Sequence, residues 1–169
     1  MAKELSIADV IEETTVDGPG FRTVVYAAGC PHACKGCHNP HTWDIASGRK
    51  VPVEDLADKL TEDPFSDVTF SGGDPLMQVE GFTELAKIVK ARSSKNIWCY
   101  TGYLFEEVVN DEKLSMILPY IDVMVDGPFV EELKSKEFWF RGSGNQRLID
   151  VKASLAASAV VLWEEKKGI

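Results

Sequence analysis

The strongest constraint on the fold is a repeating alternation. Short apolar runs, each ending in Gly, Asp or Pro, are separated by stretches with helical spacing. Residues 21–28 read as a strand, with Val24, Val25 and Tyr26 at its middle and the turn signal Gly18-Pro19-Gly20 before it. Val53, Leu56, Ala57 and Leu60 then mark one helix face, with Pro52 near its start. Residues 67–71 are a short buried strand running into Gly72-Gly73-Asp74-Pro75. Val79, Phe82, Ala86 and Val89 mark the next helix. Residues 96–101 form a strand ending at Gly102, and residues 104–118 a mostly helical stretch stopping before Pro119. The apolar run 121–125 ends at Asp126-Gly127-Pro128. Such alternation predicts parallel βαβ units with a sheet covered on both faces.

The polar segments after the strands then share one rim, at the carboxyl ends, where α/β sheets and barrels place ligands. That rim gathers Gly72-Gly73-Asp74-Pro75, Thr101-Gly102, Asp126-Gly127 and residues 30–50, which read as one long loop. With 169 residues the chain is short for an eight-unit barrel, so the expected fold is α/β, an incomplete (β/α) barrel with outer helices. A single domain is expected over 1–169, with a core at about 8–150 and a C-terminal extension at 151–169.

Within the long loop, Cys30, Cys34 and Cys37 follow a C-x3-C-x2-C spacing. Three thiolates this close reach one small centre only if the loop curls tightly, which Gly29 and Gly36 permit. On spacing alone two centres remain open. One is a 4Fe-4S cluster, usually held by four thiolates, so three would leave one iron free. The other is zinc on three cysteines with His32 or His38. Cys99, inside a strand, reads as a buried core thiol.

Charge narrows the partners. With 27 acidic and 18 basic residues the net charge is −9, which disfavours nucleic acid as a partner. The stretch 153–163 is about half the length a bilayer span needs, and residues 1–10 show no signal peptide, so no membrane and a cytoplasmic setting are expected.

The cysteine spacing followed by His38, together with Ser71-Gly72-Gly73-Asp74-Pro75-Leu76, resembles the radical S-adenosylmethionine enzymes, whose second element is a Gly-Gly-Glu-Pro-like segment. Asp17-Gly18-Pro19-Gly20-Phe21-Arg22 and Cys37-His38-Asn39-Pro40-His41-Thr42-Trp43 are similar to runs in the glycyl-radical-enzyme activases. The segments 97–103, 125–129 and 141–147 resemble the branch that activates the anaerobic ribonucleoside-triphosphate reductase. The resemblance implies a 4Fe-4S cluster on Cys30, Cys34 and Cys37. It also implies an S-adenosyl-L-methionine site around Gly36, Cys37, His38, Ser71, Gly72, Gly73 and Asp74. Arg22, Asp126 and Asn145 are further candidates: Arg22 for a carboxylate or a surface pair, Asp126 for the cofactor or a turn cap, Asn145 for ribose, the target peptide or a solvated loop. The implied activity is reductive cleavage of the cofactor and hydrogen removal from a glycine of the reductase, with a flavodoxin or ferredoxin as electron donor. An activase of another glycyl-radical enzyme, such as pyruvate formate-lyase, is the alternative.

Overall fold

The computed structural model describes residues 3–37, 40–137 and 139–165. Seven strands form one sheet: β1 (Glu4–Thr14), β2 (Arg22–Ala27), β3 (Arg49–Pro52), β4 (Asp67–Gly72), β5 (Ile97–Tyr100), β6 (Val123–Asp126) and β7 (Arg147–Asp150). Their spatial order is β3-β1-β2-β4-β5-β6-β7. The expected parallel unit is its centre: β2, β4, β5 and β6 run parallel. Both flanks depart from it, because β1 pairs antiparallel with β2 and β3, and β7 antiparallel with β6.

Among the described residues the α-helices are α1 (Val53–Glu62), α2 (Val79–Arg92), α3 (Phe105–Asn110) and α4 (Val151–Ala157), with five short 3-10 segments between elements. The apolar faces of α1 and α2 bury Leu56, Leu60, Phe82, Leu85 and Val89. These join Val25, Phe70, Ile97, Cys99 and Met124 from one face of the sheet in the main core. Gly81 lets α2 approach β1, since a Cβ there would fall on Leu5. A smaller cluster of Trp98, Val123 and Val125 lies on the other face, with Tyr100 and Phe140 against it. The alternation of side chains along each strand divides the sheet in this way.

Three expectations change here. Residues 104–118 are not one helix: α3 ends at Asn110, and a 3-10 segment, Leu114–Tyr120, runs through Pro119 rather than stopping before it. Asp111 causes the break, because its Oδ1 accepts from the Lys113 and Leu114 amides and restarts the chain. Secondly, the long loop ends at Arg49, where β3 begins, and it contains the 3-10 turns Pro40–Thr42 and Ile45–Ser47. Thirdly, the segment after α4 folds back on the sheet, as Trp163 N donates to Leu148 O and Asp150 N to Val161 O. Among the described residues no helix is long and apolar enough to cross a membrane.

Candidate metal and cofactor site

At the carboxyl ends of β2, β4, β5 and β6 a cavity of about 660 Å³ opens, within the size range of small-molecule sites. Cys30, Cys34 and Cys37 line it, as do Ser71, Gly72 and Gly73 from the end of β4. Thr101 and Gly102 after β5, and Gly127 after β6, extend the same wall. The two motifs, more than thirty residues apart in sequence, therefore border one space because parallel strands end on one rim.

The base of the cysteine loop is stitched to its surroundings by main-chain bonds. Gly29 N donates to Thr42 O at 2.5 Å and Cys30 N to Trp43 O at 3.1 Å. Gly73 N donates to Ala27 O at 2.8 Å, and Asp74 N to Gly29 O at 2.7 Å. This close approach is why Gly73 carries no side chain: a Cβ there would fall on the Gly29 carbonyl. None of the four cysteines is in a disulfide. Burial pushes the Cys30 thiol up to about 11, with the His32 amide pulling the other way. Cys99 is wholly buried on the helical side of the sheet, and that burial holds its thiol well above the ordinary range. Among the described residues no three His, Cys, Asp or Glu side chains are grouped to hold a single ion.

Not every expected contact borders the cavity. Asp74 is buried behind its wall with each oxygen engaged: Oδ1 accepts from Leu76 N, and Oδ2 from Thr101 Oγ1, Gly102 N and His32 Nε2. Gly36, at φ +75°, turns its open side toward Glu131. His38 lies outside the described residues. The Asn145 side chain is used within its own loop, accepting from Ser143 Oγ and donating to Pro128 O. Asp126 caps α3 by accepting from Phe105 N and pairs with Arg147.

Arg22 is not on the surface, and its hydrogen bonds go to uncharged oxygens. It is 1% exposed on the sheet face that carries Trp98, where its guanidinium meets Thr69 Oγ1, Pro19 O, Val68 O and Asn96 O and lies 5.5 Å from the Trp98 ring centre. Burial lowers its pKa to about 10. Arg22 is thus a packing residue at the amino end of β2, while Asp17 of the same run lines the cavity.

Sequence reasoning missed several wall residues. Tyr26 and Tyr100 face the cavity from β2 and β5. Their alternation with the core residues Val25 and Cys99 was the available signal. Tyr26 OH donates to Asp17 Oδ2 at 3.4 Å, and burial, with Asp17 second, pushes its pKa up to about 12. Tyr100 OH donates to Phe140 O at 2.5 Å and so ties the segment before β7 across the opening. His32, weighed in the sequence as a zinc ligand, lines the cavity and reaches Asp74.

This fold and site belong to the class of single iron–sulfur cluster domains: the family model described as a 4Fe-4S single cluster domain matches residues 16–149. The chain is 42% identical over 139 residues to the anaerobic ribonucleoside-triphosphate reductase-activating protein of Enterobacteria phage T4, covering 79% of this chain and 86% of that one. Proteins of the same name from Vibrio cholerae and Escherichia coli K12 are 37% and 36% identical, over 78% of this chain and 88% and 89% of theirs. The chain belongs to the family of anaerobic ribonucleoside-triphosphate reductase-activating proteins. Among solved structures, QueE from Escherichia coli is similar with a TM-score of 0.46 and 18% identity, over 59% of this chain and 52% of that chain.

Proposed function

We propose that this chain is a radical S-adenosylmethionine activase that places a glycyl radical on the anaerobic ribonucleoside-triphosphate reductase. One observation carries the reading: the cysteine triplet and Ser71-Gly72-Gly73 border a single cavity at the ends of four parallel strands. We read the sheet as an incomplete barrel of the radical S-adenosylmethionine type, with β1 and β7 closing its flanks antiparallel.

In this reading Cys30, Cys34 and Cys37 hold the 4Fe-4S cluster. Three partly exposed cysteines outside any disulfide, on one cavity, suit that donor set. Metal binding requires thiolates, so it must ionise Cys30 against the burial that now favours its neutral form. Ser71, Gly72 and Gly73 offer backbone groups to the methionine part of the cofactor, where glycines allow close approach. His38 and Gly36 keep their assignment to this site from the family resemblance alone. Bound there, the cluster and S-adenosylmethionine supply a reductive sulfonium cleavage whose product takes a hydrogen from a glycine α-carbon of the reductase. Tyr26, Tyr100 and Phe140 form apolar walls that limit water at that point. A flavodoxin or ferredoxin is the proposed electron donor. A cytoplasmic setting keeps the thiols reduced.

The test is anaerobic. Purified protein should carry iron and sulfide rather than zinc, release 5′-deoxyadenosine on reduction, and give a glycyl radical signal when the reductase is added. A signal with pyruvate formate-lyase but none with a competent reductase would transfer the assignment to another activase. Zinc at one per chain without sulfide would remove the catalytic reading altogether.

A further inference from the structure

We propose that His32 and Asp74 form a clasp that sets the position of the cysteine loop over the cavity, and that Gly102 lacks a side chain so that the clasp can close. The proposal rests on the reading of this cavity as the cluster and cofactor site.

His32 Nε2 lies 2.6 Å from Asp74 Oδ2. That oxygen also accepts from Thr101 Oγ1 at 2.9 Å and from Gly102 N at 3.0 Å, while Oδ1 accepts from Leu76 N at 2.9 Å. Asp74 has no exposed surface, so three donors converge on one buried carboxylate oxygen. A carboxylate is acceptor-only, which assigns the His32 ring proton to Nε2. The imidazole also meets the Tyr103 ring edge-on, 4.6 Å between centres. One carboxylate thus joins the loop after β2, the turn after β4 and the turn after β5.

Gly102 fits the same arrangement. A Cβ built on it would lie 2.5 Å from His32 Cδ2, 2.7 Å from Cγ and 2.8 Å from Nε2. Its φ is not in the left-handed region, so what a side chain there would first displace is the His32 ring. Main-chain bonds to Thr42 and Trp43 hold the loop at Gly29 and Cys30. Beyond that point His32 carries the next anchor, between the first two cysteines. The pair acts by positioning, since a misplacement of about 1 Å around a reacting centre is enough to cost activity heavily.

The test is a double-mutant cycle on the full chain with two readouts. Without iron, His32→Ala should speed hydrogen exchange in residues 30–37 and 101–103, and Gly102→Ala should do the same by expelling the ring. The double variant should be no worse than either single one. His32→Gln, whose amide nitrogen lies as many bonds from Cα as Nε2, should restore slow exchange. With iron and sulfide reconstituted, His32→Ala should weaken S-adenosylmethionine binding about tenfold in equilibrium dialysis, and His32→Gln should recover most of it. Exchange at the wild-type rate in His32→Ala, or additive effects of the two alanines, would overturn the clasp. Faster exchange with unchanged cofactor affinity would overturn its positioning role. If the wild-type chain holds no cluster, the functional reading fails while the exchange measurements still decide whether the clasp exists.

Discussion

Arg147 Nη2 lies 2.5 Å from Asp126 Oδ2, so a wholly buried carboxylate at the end of β6 is neutralised from the antiparallel edge strand beside it. The same guanidinium holds Glu106 on α3 at 2.7 Å, and Asp126 accepts from Phe105 N at the start of that helix. Three elements at the rim are locked by these two ion pairs. Arg147→Met strands Asp126 as an unpaired buried charge and should lower stability by about 3–5 kcal/mol. Urea unfolding measures this, and a loss within about 0.5 kcal/mol of wild type would contradict it.

The pH dependence follows from Glu106. Hydrogen bonding to Arg147 holds its carboxyl below the ordinary glutamate value. A lowered folded pKa contributes stability above the unfolded value of about 4.3, and that contribution is lost as the pH falls through the folded one. Wild type should therefore lose thermal stability below about pH 4.3 more steeply than Glu106→Gln. Glu106 is half exposed, so solvent screening keeps the difference small. Melting curves between pH 6 and pH 3 decide it, and parallel slopes would count against the pairing.

Gly18 should tolerate nothing larger. Its φ is +134°, and a Cβ would lie 2.7 Å from Arg22 Cδ. Arg22 is held in place, because its guanidinium donates to Thr69 Oγ1, Pro19 O, Val68 O and both oxygens of Asn96. Gly18→Ala is expected to cost about 1–3 kcal/mol through overpacking alone, with added backbone strain. Gly20→Ala meets no atom within 4 Å and should cost less, although its φ of +71° also favours glycine. Equal denaturation midpoints for the two variants would show that Arg22 does not set the requirement.

Gly73→Ala should loosen the joint between β4 and the cysteine loop. The clashing atom is the main-chain oxygen of Gly29, which already accepts from Asp74 N and cannot swing away as a side chain would. A loss of about 1–3 kcal/mol is expected, together with less iron per chain after anaerobic reconstitution. Ser71→Ala removes only a hydroxyl on the same wall and should keep wild-type iron. Iron analysis of both variants separates a joint from a mere lining residue.

The parallel centre of the sheet was legible because Val24-Val25, residues 67–71, 96–101 and 121–125 are apolar runs closed by turn residues. The flanks were not. β1 buries Leu5 and Ile7 in strict alternation, but register shifts after Ile7 and after Ile11 break the period that a sequence reader follows. β3 and β7 are four-residue edge strands rich in charge, as edges tend to be. Cys30, Cys34, Cys37, Ser71, Gly72 and Gly73 were legible as one site because spacing and glycine content are local properties. Asp74 was assigned to the wall, while the fold turned its side chain inward to His32, Thr101 and Gly102. Nothing local distinguishes those two outcomes.

By itself the sequence determined which residues can bind and bend: three thiols within eight positions, glycines where chains approach, and apolar runs of strand length. Only the tertiary structure decided which polar groups face the cavity and which are consumed in building it. Arg22, Asp74 and Asp126 look alike as candidates in the chain, and all three are buried and partnered in the fold. The reason is desolvation. A charge taken out of water must find partners from other elements, and those partners exist only once the strands have been brought together.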